Sequence, residues 1–235
     1  MQTNAHILST IELPQPVLDK AAANGVSIDV VPFIETIALP ARALKASIDD
    51  LSAKHTTVVF TSAKAVDAVA SVMNEPSWDI YCIDGNTMQA VEKHFSHSSI
   101  KATATNAATL AAEILNRAPA AAITFFCGNL RRDELPDILK QAGLAVHEIT
   151  VYETIILKKE INKPYNAILF ASPSAVEGYF SVNSLPANTT CFAIGNTTAD
   201  AIKKYTDNNI IVAAKADKEE LAMQAINYFA TATVK

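Results

Sequence analysis

The chain has 235 residues, half of them hydrophobic but only 7% aromatic, with a formal charge of −5. That length suits two domains of about 110 residues each, and the acidic balance argues against a general nucleic-acid binder, which carries a basic stripe. The N-terminus lacks the basic run and apolar core of a signal peptide, and no apolar run reaches the roughly 18 residues of a membrane span, so a soluble, cytoplasmic protein is expected.

Residues 6–10 read as a short strand and 14–23 as a helix with Val17, Leu18, Ala21 and Ala22 apolar, stopped by Asn24-Gly25. Residues 27–33 alternate and are rich in β-branched types, which predicts a strand running into an extended segment, Pro32-Phe33-Ile34-Glu35-Thr36. A helix over 41–54 follows, with Leu44, Ile48 and Leu51 on one face, then a strand over 57–60 that stops at Thr61-Ser62. Ser62 is a good N-cap for the next helix. Next come a strand over 79–83, the cluster Asp84-Gly85-Asn86-Thr87, a helix through Ala90, Val91 and Phe95, a strand near Ile100 and a helix over 109–115.

The strand 123–126 ends at Cys127-Gly128-Asn129-Leu130, and the helix 133–141 is stopped by Gly143. Residues 146–151 lead into a second extended segment, Thr150-Val151-Tyr152-Glu153-Thr154. The strand 167–170 ends at Ala171-Ser172-Pro173-Ser174, and the strand 191–194 at Gly195-Asn196-Thr197-Thr198, before a helix over 199–205. A strand over 210–213 and a helix over 221–229 close the chain. Strands alternating with helices predict an α/β fold with parallel sheets. Cys82, Cys127 and Cys191 show no C-x-x-C spacing, which suits a reducing compartment and core or loop thiols.

Two internal repeats set the architecture. At an offset of 118, Gly143, Val146, Glu153 and Thr154 match Gly25, Ile28, Glu35 and Thr36. At an offset of 110, Phe170, Ser172, Ala175 and Val176 match Phe60, Ser62, Ala65 and Val66, and at 111 Ile194, Thr198, Ala201 and Lys204 match Ile83, Thr87, Ala90 and Lys93. The chain is therefore two units, each with an opening and a closing piece, and the repeat alone leaves open which opening piece packs with which closing piece.

Several loops share one design: a strand ends in small polar residues and a helix starts at once. Thr61-Ser62, Asp84 to Thr87, Gly128-Asn129-Leu130, Ser172-Pro173-Ser174 and Gly195 to Thr198 all follow it. Free N–H groups and the helix dipole favour a carboxylate or phosphate there, beyond the carboxyl ends of the strands, although simple capping asks for the same residues. Arg131 and Arg132 could grip a carboxylate or belong to a solvated helix start. His94 and His97 lack further ligands for a metal, and with six glycines and no glycine-rich phosphate loop, a flavin or nucleotide site is disfavoured. The Tyr152 phenol can donate and accept a hydrogen bond, which makes it a candidate proton donor.

Phe126-Cys127-Gly128-Asn129-Leu130-Arg131-Arg132, Leu135-Pro136, Gly143 and Val151-Tyr152-Glu153-Thr154 closely resemble uroporphyrinogen-III synthase, as do Ala193-Ile194-Gly195-Asn196-Thr197-Thr198-Ala199 and Ser172-Pro173-Ser174. The resemblance implies two flavodoxin-like domains, 1–36 with 155–235 and 37–154, joined by a two-stranded crossover. It implies a cofactor-free lyase of haem biosynthesis that closes hydroxymethylbilane to uroporphyrinogen III, inverting the last ring through a spiro intermediate. Tyr152 matches the tyrosine that assists departure of the hydroxyl. Thr87 and Thr198 match cleft hydroxyls, and Thr61, Ser62, Gly128, Asn129, Ser172, Ser174, Gly195 and Thr197 would face substrate. A monomer with no metal, membrane or nucleic-acid partner is expected, with transient contact with the preceding pathway enzyme. Two departures stand out: Asp84 takes the place of a usual glycine, and Ser9-Thr10-Ile11 lacks an arginine common after the first strand. The alternative from another class is a non-catalytic two-domain binding protein for a small anionic ligand, which would not need Tyr152 with the Cys127 to Leu130 loop.

Overall fold

The computed structural model of the chain describes residues 5–52, 56–73, 76–117 and 122–231. In order, the elements are β1 (Ala5–Ser9), α1 (Gln15–Ala23), β2 (Val26–Val30), β3 (Ile34–Ala38), α2 (Ala41–Ser52), β4 (Thr57–Phe60), α3 (Ala63–Ala70), β5 (Asp79–Ile83), α4 (Asn86–His94) and β6 (Ser99–Ala104). Then come α5 (Ala107–Asn116), β7 (Ala122–Gly128), α6 (Glu134–Gln141), β8 (Ala145–Ile156), β9 (Ala167–Phe170), α7 (Pro173–Phe180), β10 (Thr190–Ala193), α8 (Asn196–Ile202), β11 (Ile210–Val212) and α9 (Lys218–Thr231). The end of the helix expected to reach Lys54 lies outside the described residues. No helix among the described residues is long and apolar enough to cross a membrane.

The chain divides into two compact units, Met1–Glu35 with Ile155–Lys235, and Thr36–Thr154. The boundaries fall inside β3 and β8, which are neighbours in one sheet. In the first unit the sheet order is β2-β1-β9-β10-β11, and in the second β3-β8-β7-β4-β5-β6. The described registers are parallel throughout, from β1 against β2 and β9 to β7 against β4 and β8. The chain is therefore a mixed α/β fold built on parallel sheets.

The two orders settle what the repeats left open. Placing the opening piece β7-α6-β8 ahead of the closing piece β4 to β6 gives the second unit the spatial order of the first, so the units are circular permutants of one plan. The opening strands β1 and β2 share a sheet with β9 to β11 through the β1–β9 pair, and β7 and β8 share one with β4 to β6 through the β7–β4 pair.

Parallel strands buried on both faces are apolar over nearly their whole length, as β4 is after Thr57. Val58 and Phe60 face a core with α2, α3 and α4 (Leu44, Ile48, Val66, Val69, Val91), whereas Val59 faces α5 and α6 (Leu110, Ile114, Leu135, Leu139). In the first unit, α1 and α9 cover one face through Val17, Ala21, Leu221 and Ile226, and α7 and α8 the other through Val176, Tyr179 and Ile202. A side chain at Gly178 of α7 would come within 2.5 Å of Phe33 O, so only glycine lets that helix meet the chain where Leu157 N–H also donates to Phe33 O at 2.9 Å.

All three cysteines are free and buried. Burial raises the Cys82 thiol to about 11 and Cys191 to about 12, and moves Cys127 the same way, from an ordinary value of 9.0. A raised folded value means stability present below the unfolded value and lost as pH rises through the folded one. Urea midpoints should therefore fall as pH climbs from about 9 upward, and a flat profile there would contradict burial of these thiols.

Candidate functional site

In the second unit the chain steps from β4 outward to β5 and β6, while β7 steps the opposite way to β8. Such a reversal leaves a crevice at the carboxyl ends of the two central strands, where ligands bind in open α/β sheets. A cleft of about 380 Å³ opens there. Thr61 and Ser62 line it from the end of β4, Cys127 and Gly128 from β7, Thr105 and Asn106 from the β6–α5 turn, Arg131 and Arg132 ahead of α6, and Tyr152 from β8.

Local chemistry explains each wall. Ser62 is extended and its hydroxyl accepts the Lys64 N–H at 3.2 Å, capping α3; Asn106 accepts the Thr109 N–H at 2.9 Å, capping α5. Both caps leave further N–H groups of the first turn directed toward the cleft end of the helix. Arg131 is committed to Glu148 and Asp133, and the Asp133 hydrogen bond comes first among the causes that raise its pKa. Glu148 also takes Lys140 at 2.7 Å. Arg132, exposed at the edge of the cleft, makes no ion pair among the described residues, so it is the guanidinium available to an incoming carboxylate.

Tyr152 is placed by a fault in the ladder. The β7–β8 register runs Cys127 to Thr150 and then Gly128 to Tyr152, so Val151 is the extra residue of a bulge. Bulges re-aim the following side chain, and here the ring lies on Gly128. A Cβ at Gly128 would sit 2.5 Å from Tyr152 Cζ and 2.9 Å from its hydroxyl. Tyr152 is half-buried, and its phenol makes no hydrogen bond among the described residues. A second hollow of about 240 Å³, lined by Thr36, Lys64, Asp67 and Ser71, reaches the same tyrosine. At the 118-residue offset, Thr10 and Ile34 stand in the first unit where Gly128 and Tyr152 stand here, so this glycine–tyrosine stack has no counterpart in the repeat.

The cleft brings together six of the sequence candidates: Thr61, Ser62, Gly128, Arg131, Arg132 and Tyr152. Thr87 is not among its lining residues and is buried in the first turn of α4. Asn129 is exposed beside a neighbouring polar hollow, and its carboxamide is bonded to Thr154. In the first unit, Ser172 caps α7 through the Ala175 N–H at 3.1 Å, Ser174 lies in that helix, and Gly195 precedes α8. Thr197 is exposed there and Thr198 buried. Gly195 has φ −174, with open space where a side chain would go, so its backbone does not itself demand glycine. His94 is paired with Asp67 at 3.3 Å. No group of three or more potential ligands placed to hold a metal occurs among the described residues. The turn Thr105-Asn106 escaped the sequence reading, although Asn three residues ahead of Thr109 was a capping signal.

Among curated proteins none matches the sequence. The fold is similar to uroporphyrinogen-III synthetase from Helicobacter pylori, at 17% identity and a TM-score of 0.66 over 95% of this chain and 99% of that one. It is also similar to a mutant uroporphyrinogen III synthase from Thermus thermophilus, at 12% identity and a TM-score of 0.63 over 97% and 99%. The family model of uroporphyrinogen-III synthase HemD matches residues 17–223. A match over that much of the sequence, with the switch-point cleft and its tyrosine inside it, places the chain in the uroporphyrinogen-III synthase family.

Proposed function

We propose that this cleft folds hydroxymethylbilane for closure to uroporphyrinogen III, with Tyr152 assisting departure of the hydroxyl. Water leaves the hydroxymethyl carbon to give an azafulvene, the substituted carbon of the last ring attacks it, and the spiro intermediate fragments and recloses with that ring inverted. The reactivity lies in the substrate, so the protein's part is conformational: it brings the last ring's substituted carbon onto the azafulvene and excludes uncontrolled closure. Substrate carboxylates would meet the N–H groups ahead of α3 and α5 and the Arg132 guanidinium. Ser172, Ser174, Gly195, Thr197 and Thr198 would play the matching part in the first unit. The same reading takes the units as flavodoxin-like domains, residues 1–36 with 155–235 and 37–154, joined by a two-stranded crossover, in a cytoplasmic monomer.

What supports the reading most is the Tyr152 ring resting on Gly128 with its phenol unpaired beside the cleft. The test is an assay with hydroxymethylbilane generated in place, separating uroporphyrin I from III after oxidation. Isomer III in excess over spontaneous isomer I is expected, and only isomer I from folded protein would sink the synthase reading. Tyr152→Phe should slow formation of isomer III by about tenfold to a hundredfold, at or below the range of a strong general acid. An unchanged rate would remove Tyr152 from proton transfer.

A further inference from the structure

Beyond the end of β7 the ladder to β8 continues through a side chain. The Asn129 main-chain N–H donates to Tyr152 O at 3.2 Å, its carboxamide Nδ2 donates to Thr154 O at 3.3 Å, and its Oδ1 accepts the Thr154 N–H at 2.8 Å. A carboxamide offers the same donor and acceptor as a peptide group. Asn129 therefore supplies the rung that one more residue of β7 would have made. On the opposite edge Leu39 N–H donates to Val151 O at 3.1 Å. The ladder is interrupted by the bulge just before Tyr152, so the register after it depends on whatever bonds follow. Beyond the Gly128–Tyr152 pair, three bonds on this edge come from Asn129. Side chains two residues apart share a face of a strand, so fixing the Thr154 peptide fixes the direction in which Tyr152 leaves the backbone.

We infer that Asn129 is a positioning residue for Tyr152, holding the ring over Gly128 by acting as a surrogate peptide unit, and not a substrate ligand. This rests on the reading that Tyr152 works on the substrate. Both polar atoms of the carboxamide are engaged with Thr154, and neither Ala nor Asp can replace them: Ala removes the pair, and Asp sets a carboxylate oxygen against the Thr154 carbonyl.

The experiment is a double-mutant cycle in the full chain, with Asn129→Ala and Tyr152→Phe alone and together, read as kcat, KM and the ratio of isomer III to I. Asn129→Ala should lower kcat about tenfold, as displacement of a catalytic group does, with KM moving less than about threefold. In the Tyr152→Phe background the same change should cost less than about twofold, because it acts through the missing hydroxyl. A full additional loss in that background, or a raised KM with kcat retained, would make Asn129 a substrate contact and overturn the inference. Asn129→Asp carries the same comparison should Asn129→Ala fail to fold. Amide exchange at Thr154 gives a readout free of activity: it should quicken in Asn129→Ala, which removes the acceptor of that N–H, and unchanged protection there would overturn the clamp. Failure of the synthase reading shows separately, as wild-type protein yielding only isomer I.

Discussion

Gly128→Ala should lower turnover about a hundredfold, the scale of a displacement of about 1 Å in a reacting group, while the protein stays folded. The added methyl would occupy the space of the Tyr152 ring, 2.5 Å from Cζ, so the ring must swing off β7. Nothing in the glycine's backbone resists the change, since Gly128 is not among the glycines with positive φ. The loss should thus appear in kcat and in the share of isomer III, with little shift in the thermal midpoint. Combined with Tyr152→Phe it should add little, because both remove the same hydroxyl from the same place. A Gly128→Ala protein with wild-type turnover would show that the stack is incidental.

Trp78→Ala should remove about 3–5 kcal/mol from the second unit, the usual range for a large aromatic deleted from a core. Trp78 is fully buried, with ring centroids 5.7 Å from Phe95 and 5.6 Å from Phe126, and Phe126 in turn stacks on Phe60 at 5.2 Å. Its Nε1–H donates to Leu51 O at 3.0 Å, tying the indole to α2. Trp78→Phe keeps most of the packing and loses that bond, so it should cost markedly less. Far-UV dichroism in urea measures both. In the wild type the single tryptophan lies in the second unit, so its fluorescence follows that unit while dichroism follows both. A midpoint for Trp78→Ala within experimental error of wild type would contradict the packing described.

Periodicity and capping residues were enough to read the order of strands and helices, because an α/β chain changes its hydrophobic period at every turn. Pairing was not legible in the repeat and came only with the family resemblance: β1 and β9 lie far apart in sequence and only tertiary contact joins them. Thr87 and Thr198 read as loop hydroxyls, yet both lie inside the first turn of a helix and are buried, since sequence signals place a helix start only to within a residue or two. Cys127-Gly128 read as a loop because glycine is a poor strand former, whereas β7 runs through it to let Tyr152 in. The part of Asn129 was hidden because it depends on a partner 25 residues away and on a bulge, neither of which leaves a periodic trace.

The circular permutation also has a consequence for synthesis. The second unit is one uninterrupted stretch ending at Thr154, but the first unit needs residues from both sides of it. Strand β1, central in its sheet and carrying the fully buried Ile7 and Leu8, must wait on the ribosome until β9 has been made. At about 5–20 residues per second that delay is on the order of ten seconds or more. Throughout it, a nascent apolar strand has one side open to any passing chain, so the yield of folded enzyme should depend on how quickly the middle of the message is read.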